Sequence, residues 1–357
     1  MTVYSYSRIN TYFTCPAQFQ FRYIEKRPSP EAEGIELFLG SRFHETMEFL
    51  YRQLPQHVPT VNEVLDFFKK HWEYQWQDAL QKQKTRNFKE PLRIVQESQT
   101  VGDYFQKGQL FVENYYHQYH PFDQDQTEGI ELKVAFNLDA KGEYKMQGYI
   151  DRLGRDPEAT LWIHDYKTSS RKMTAEDAKA EDQLALYQIG LTQNPKYGPQ
   201  SKVKLAWHFV AFEKDQVVTE RSPKEIEWLK DKYISKIKTV EKAKSFPPKP
   251  GSLCPWCEYL SICAEGKSWV ENKRKDPKKA ASTPQTTTGK KEISTAQEIK
   301  GHSSEKSAPA PAKPHAEKPP TPLVTFAKPT VPSDPMDHKK KKKDRSVKVP
   351  ADQLSLF

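Results

Sequence analysis

Apolar positions along this chain fall into two periodicities. From Gly129 to Tyr166 they come in short, β-prone runs: Gly129 to Leu138, Tyr144 to Leu153 and Leu161 to Tyr166. The turn formers Gly154, Asp156 and Pro157 separate the last two, so the stretch from Met146 to Lys167 predicts a hairpin. On both sides the spacing becomes helical. A helix is expected to open near Ser41, with Phe43, Met47 and Leu50 on one stripe and His44, Glu48 and Tyr51 on the next. Two long amphipathic stretches rich in Trp, Tyr and Phe fill an insertion from Thr60 to Phe122; these aromatics are expected to be core, with Trp72, Trp76 or Tyr116 lining a groove where bases stack as the alternative that the sequence leaves open. After the hairpin come a helix from about Thr174 to Leu191 and an apolar run from Val203 to Phe212. A last helix opens at Ser222-Pro223-Lys224-Glu225, which offers a serine cap, a first-turn proline and a glutamate three residues on. At the start, Ser5 to Lys26 reads as two short helices broken at Cys15-Pro16. The pattern is that of a mixed α/β domain over residues 1–267.

Composition changes the picture from Ser268 onward. Those last residues hold 19 of the 56 Lys+Arg, 10 of the 47 Asp+Glu and 12 of the 27 prolines, so the net charge of +9 resides there and the first 267 residues are neutral. With only Trp269, Phe326 and Phe357 as aromatics, the segment 268–357 cannot bury enough surface to offset its ordering entropy and is expected to be a disordered basic tail. No apolar run approaches the ~20 residues needed to cross a bilayer, and no apolar signal segment opens the chain, so a cytoplasmic protein without membrane contact is expected.

The candidate chemistry lies on the hairpin. Alternation along the strand Leu161 to Lys167 puts Asp165 and Lys167 on one face, their Cα atoms roughly 6.6 Å apart, and turns Tyr166 away. Asp151, just before the turn, can share a cation with Asp165. Two carboxylates suit a hard ion, Mg²⁺ or Mn²⁺, and the reaction such a site supports best is hydrolysis of a phosphodiester. The four cysteines form a second constellation: Cys15 stands alone, and Cys254, Cys257 and Cys263 form a C-x2-C-x5-C run. One distant ligand plus such a run argues for a single four-thiolate site tying the two ends of the domain together, and disulfides are disfavoured in a cytosolic chain. Zinc and an iron–sulfur cluster both accept four thiolates.

These residues together resemble the PD-(D/E)XK superfamily, in its RecB-like branch of AddB-like and CRISPR-associated iron–sulfur exonucleases. The likeness rests on Asp151, Asp165-Tyr166-Lys167, Gln183 and Tyr187 in Gln-x-x-x-Tyr, Gly40-Ser41-Arg42-Phe43-His44, and the cysteines. It implies a restriction-endonuclease-like α/β core, a mixed sheet flanked by helices in α-β-β-β-α-β order. It also implies His44 as a nitrogen ligand beside Asp151, Asp165 and the main-chain carbonyl of Tyr166, with Lys167 placing or activating the attacking water. By the same resemblance Gln183 and Tyr187 orient the lysine and the nucleic-acid backbone, and the cysteines hold a [4Fe-4S] cluster rather than zinc. Glu131 is expected near the cleft without a fixed role. DNA is the implied substrate, with exonucleolytic cutting in repair or replication and a location at the nucleoid. A non-catalytic DNA-binding module is the rival reading, but it would have no need of Lys167.

The end of the chain, Gln353-Leu354-Ser355-Leu356-Phe357, resembles the bacterial sliding-clamp-binding motif. That resemblance implies the clamp as a partner, with the glutamine in a polar site and the leucines and phenylalanine in an apolar pocket. The preceding run Lys339 to Lys343 suits non-specific contact with phosphates. No G-x-x-x-x-G-K-[ST] loop is present, so any unwinding is expected from a helicase partner.

Overall fold

A computed structural model describes residues 2–54, 56–198, 201–213 and 216–275. The strands and helices run, in order, β1 (Val3–Tyr4), α1 (Tyr6–Thr14), α2 (Pro16–Phe19), α3 (Ile35–Gln53), α4 (Val61–Arg86), α5 (Val101–Tyr119), β2 (Gln126–Asn137), β3 (Lys145–Arg155), β4 (Leu161–Lys167), α6 (Ala175–Ala180), α7 (Gln183–Gln193), β5 (Val203–Phe209), β6 (Gln216–Thr219), α8 (Pro223–Lys242) and α9 (Ala264–Lys275). The expected mixed sheet flanked by helices is what forms. Helix starts behave locally as the sequence reads: Pro16 opens α2 directly after Cys15, and Ser222 and Glu225 close a reciprocal cap on α8. The helix α9 runs through residue 267, and the residues beyond 275, with the lysine run and the terminal pentapeptide, lie outside those described.

The sheet is built on β3. One edge of β3 pairs antiparallel with β2 along its whole length, from Gln126 opposite Arg155 to Asn137 opposite Lys145. The other edge is shared: β1 pairs in parallel with Lys145 and Met146, and β4 pairs antiparallel only with Arg152 to Arg155. β4 then continues alongside β5, which pairs with it in parallel from Leu161 to Lys167, while β6 closes the far edge. Among the described residues, therefore, no strand covers Gln147 to Asp151 on that edge. β3 and β4 part at the Arg152–His164 rung, leaving a notch in the sheet.

Two cores sandwich the sheet. One gathers Ile163, Leu205 and Trp207 with α7, α8 and the start of the chain; the other packs α3, α4 and α5 over Tyr166 and Val210. Trp72 and Tyr116 are buried in the second core, as their helical spacing predicts. Between this core and the sheet lies a chain of buried polar groups. The Arg152 guanidinium pairs with Asp125, donates to the Tyr166 hydroxyl at 3.3 Å and sits 4.0 Å over the Tyr51 ring. His164 places one ring nitrogen 3.2 Å from Asp125 and the other 2.9 Å from His208, which meets the Tyr119 hydroxyl at 3.0 Å. Burial, with Arg152 close by, pushes His164 down to about 3, so the imidazole is neutral at physiological pH.

Three boundaries differ from the sequence reading, each for a tertiary reason. The helix carrying His44 opens at Ile35, not near Ser41, because Ile35, Phe38 and Leu39 are buried in the same core as Phe43 and Met47 and carry the helix through Gly40. The helix expected from Thr174 to Leu191 is two, α6 and α7. Arg221 breaks it by donating to the carbonyls of Ala178, Lys179 and Glu181 at 2.8 to 3.0 Å, and Lys232 draws Asp182 away at 2.6 Å. The strand expected to reach Phe212 ends at Phe209, where the Val210 amide turns back to the Lys167 carbonyl.

Candidate active site

The notch is where the hairpin's functional side chains meet. Ile150 and Leu153 lie in the same core although three residues apart, so side-chain alternation slips between them. The slip leaves the Asp151 carboxylate in the plane of the sheet, where its Oδ2 accepts the Tyr166 amide at 2.9 Å in place of a backbone carbonyl. Opposite Asp151 on β2, Glu131 adopts φ 46°, a left-handed conformation that costs a side-chain-bearing residue roughly 1–2 kcal/mol. Its neighbours Ile130 and Leu132 accordingly face opposite cores. Both strands kink at one rung, and both kinked residues are acids.

His44 arrives from α3, one turn after Gly40. Its Nε2 donates to the Tyr166 carbonyl at 3.0 Å, and its Nδ1 stands 3.4 Å from Asp151 Oδ2. The ligand atoms of His44, Glu131 and Asp151 all lie within 4.8 Å of one another, the only such grouping of His, Cys, Asp or Glu among the described residues. The sequence placed Glu131 near the cleft; its kink is what brings it to the imidazole. Asp165 takes a different position, with its Oδ2 2.6 Å from Lys167 Nζ.

Electrostatics bind these groups into one unit. Burial, then the charge of Asp165, pushes the Asp151 carboxyl up to about 7, against the opposing pull of His44 and Lys167. Burial works against the Lys167 ammonium, but the charges of Asp165 and Asp151 outweigh it and hold its pKa above the ordinary lysine value. Lys167 is therefore charged, which suits it to stabilise a phosphate and to hold a water by donating to it. Gln183 and Tyr187 join from α7, with Gln183 Nε2 donating to the Tyr187 hydroxyl at 3.2 Å. Tyr187 packs on bare backbone: a Cβ at Gly148 would fall 2.1 Å from its ring. Burial raises the Tyr187 phenol, with Asp165 and Asp151 adding to the effect.

The four cysteines meet elsewhere, on the other side of the first helices. All are free thiols, and all line one cavity of about 180 Å³. Backbone amides point at three sulfurs: Lys249 N at 3.5 Å from Cys15, Gly251 N at 3.3 Å from Cys254 and Gly266 N at 3.3 Å from Cys263. The four thiols thus face one shared space, as a site held by four cysteines requires. The cysteine loop is itself stitched down: Arg93 donates to the carbonyls of Cys257 at 2.7 Å and Trp256 at 2.6 Å, and Tyr259 donates to Arg27 O at 3.0 Å.

A family model of the PD-(D/E)XK nuclease superfamily matches residues 3–264. The chain belongs to the PD-(D/E)XK nuclease superfamily. Members generally use divalent metals, and the His44, Glu131 and Asp151 grouping is a candidate metal site of that kind. A comparison with curated proteins gave no match. Among solved structures, the chain is similar to a candidate exonuclease from Eubacterium rectale, at 11% identity and a TM-score of 0.41, over 72% of this chain and 87% of that one.

The kink at Glu131 generates a test. Glu131→Gln is expected to weaken binding of Mn²⁺ or Mg²⁺ about tenfold, measured by calorimetry with the metal alone. An unchanged affinity would remove Glu131 from the ligand set.

Proposed function

We propose that this PD-(D/E)XK protein is a Mg²⁺- or Mn²⁺-dependent deoxyribonuclease, an exonuclease of bacterial DNA repair or replication that carries a [4Fe-4S] clasp and is recruited to the sliding clamp. The observation that carries the nuclease reading is the convergence of His44, Asp151 and Tyr166 O on one side of the sheet notch with Asp165 and Lys167 on the other. A divalent cation held there supplies charge neutralisation on the phosphate and a means to ionise the attacking water.

The protein's own groups do the rest. His44, Glu131 and Asp151 offer ligand atoms close to one another, and the set implied by the resemblance adds Asp165 and the Tyr166 carbonyl. Lys167, charged and tethered to Asp165, donates to the water or to a non-bridging phosphate oxygen as negative charge builds. Gln183 and Tyr187 fix the floor beneath the lysine. A module that only bound DNA would have no use for a lysine held beside two acids. Substituting Lys167→Ala is expected to cut DNA cleavage about 10²- to 10⁴-fold while metal binding is kept. A purified variant with full activity would refute the assignment.

What supports a guest held by all four thiols is the one cavity they line and the amide-to-sulfur contacts, which stabilise thiolates; the iron–sulfur identity rests on the resemblance of the cysteine spacing. Held by Cys15, Cys254, Cys257 and Cys263, the cluster would join the start of the chain to the end of the nuclease fold. Protein purified without oxygen is expected to be brown and to contain about four irons per chain. Colourless protein with one zinc would overturn this part alone.

Clamp recruitment rests on Gln353 to Phe357 and on nothing in the described residues. Joined by a long linker, the motif would hold the nuclease near clamped DNA at raised local concentration, and unwinding would fall to a helicase partner. Removing residues 353–357 is expected to abolish clamp binding in calorimetry and leave cleavage of free DNA unchanged; undiminished clamp affinity would end the idea.

A further inference from the structure

Two consecutive residues of β3 grip Tyr166 from opposite sides. In the notch, the Tyr166 amide donates to Asp151 Oδ2 at 2.9 Å, and its carbonyl meets His44 Nε2 at 3.0 Å. Behind the notch, its buried ring lies against Phe43, Tyr115 and His208, with centroids 6.0, 5.4 and 5.5 Å away, and Arg152 Nε donates to its hydroxyl at 3.3 Å. The rest of the Arg152 guanidinium is committed elsewhere. Nη1 and Nη2 donate to the two oxygens of Asp125, Nη2 at 3.3 Å, and the flat face lies 4.0 Å over the Tyr51 ring. Asp125 has room there because Gly154 is bare: a Cβ at Gly154 would fall 2.1 Å from Asp125 Oδ1. Burial works against the Asp125 carboxylate, but His164 and the Arg152 charge hold its pKa well below the ordinary carboxylate range, so the anchor stays ionised.

We propose that Arg152 is a positioning residue for the metal site: by holding the Tyr166 hydroxyl from behind, it aims the Tyr166 carbonyl at the space beside Asp151. The inference rests on the nuclease reading, which gives that carbonyl and that carboxylate to one cation, and deepens it by naming what aligns them. On its far edge β4 is laddered to β5 from Leu161 to Lys167, but toward β3 its last rung is His164 opposite Arg152. A strand laddered along one edge can roll about that edge, and a roll would turn the Tyr166 carbonyl away from Asp151. The phenol is a long lever against such a roll, and Arg152 pins its tip. Because Asp151 and Arg152 are neighbours in sequence, one short piece of β3 fixes both the peptide and the side chain of the same residue. A planar fork does this where a single ammonium could not: Asp125 takes two of its nitrogens and the hydroxyl takes the third. Partners one step behind a metal's ligands orient those ligands, and their loss typically costs about 10- to 100-fold in metal affinity.

The test reads metal binding, so it does not depend on cleavage. Calorimetry with Mn²⁺ alone would compare the full chain with Tyr166→Phe, Arg152→Lys and Tyr116→Phe, with Tm measured for each. Tyr166→Phe keeps the ring and the backbone carbonyl and removes only the pinned hydroxyl. Arg152→Lys keeps the charge opposite Asp125 and loses the fork. Tyr116→Phe controls for stability, because it removes another buried hydroxyl from the same core, one that donates to Pro59 O at 2.9 Å. Tyr166→Phe and Arg152→Lys are each expected to weaken Mn²⁺ binding about tenfold, and Tyr116→Phe should stay within about twofold of the parent at a similar loss of Tm. If Tyr166→Phe binds Mn²⁺ as the parent does, or if Tyr116→Phe weakens binding as much, Arg152 serves the fold alone and the positioning role is overturned, whether or not the protein cuts. If the expected pattern of Mn²⁺ binding appears and the parent cuts no DNA with Mg²⁺ or Mn²⁺, the nuclease reading fails while Arg152 keeps its role at the cation site.

Discussion

The site depends on a carboxylate that occupies a backbone's place. Where β3 and β4 separate, the amide of Tyr166 would face an empty sheet edge, and an unpaired amide away from water is costly. Asp151 supplies the acceptor. That substitution of side chain for strand does two things together: it ends the ladder without leaving an orphan donor, and it fixes the carboxylate next to the carbonyl of the same residue, Tyr166. The imidazole of His44 then reaches both. A continuous ladder would have satisfied the same amide and left no room for an ion.

Such a notch is useful only if the strands cannot slide. The last rung before they part is Arg152 opposite His164, and both belong to the buried polar chain under α3 and α5. A slip of one residue would carry Arg152 to the apolar face, stripped of Asp125 and Tyr166. Breaking a buried pair by leaving one charge uncompensated costs about 3–5 kcal/mol, a large fraction of the stability of an ordinary domain. The network therefore holds the register from behind, while the catalytic groups in front remain open to substrate.

Much of this was legible because alternation and turn chemistry are local. Asp165 and Lys167 share a face two residues apart, and Gly154, Asp156 and Pro157 mark the turn that brings Asp151 near them. The four cysteines were legible as a set because one early residue and one late run can satisfy a tetradentate site only by closing the chain. What escaped was decided at a distance. Nothing near Glu131 announces a left-handed residue, since glycine, the usual sign, is absent there and the kink answers the slip in β3. The break at Glu181-Asp182 belongs to Arg221, some forty residues on. Gly40 reads locally as a weak point in a helix, yet the burial of Ile35, Phe38 and Leu39 against the core carries α3 straight through it.

The clasp shows how ends of a chain can be tied to its middle. Arg93 stands in the connection between α4 and α5, and it grips the carbonyls of Trp256 and Cys257. Glu36, in the first turn of α3, takes hydrogen bonds from Trp256 and from Tyr104 of α5. The cysteine loop is thus bonded to the helix that bears His44 and, only through the shared Glu36 carboxylate, to Tyr104 of α5. A guest held by the four sulfurs, as proposed, would order this loop, and the loop would in turn constrain α3 against α5. Loss of that guest would be felt at Trp256 before it was felt at the carboxylates, because Asp151 and Asp165 are held by the sheet and its buried network, while Trp256 is held by the loop.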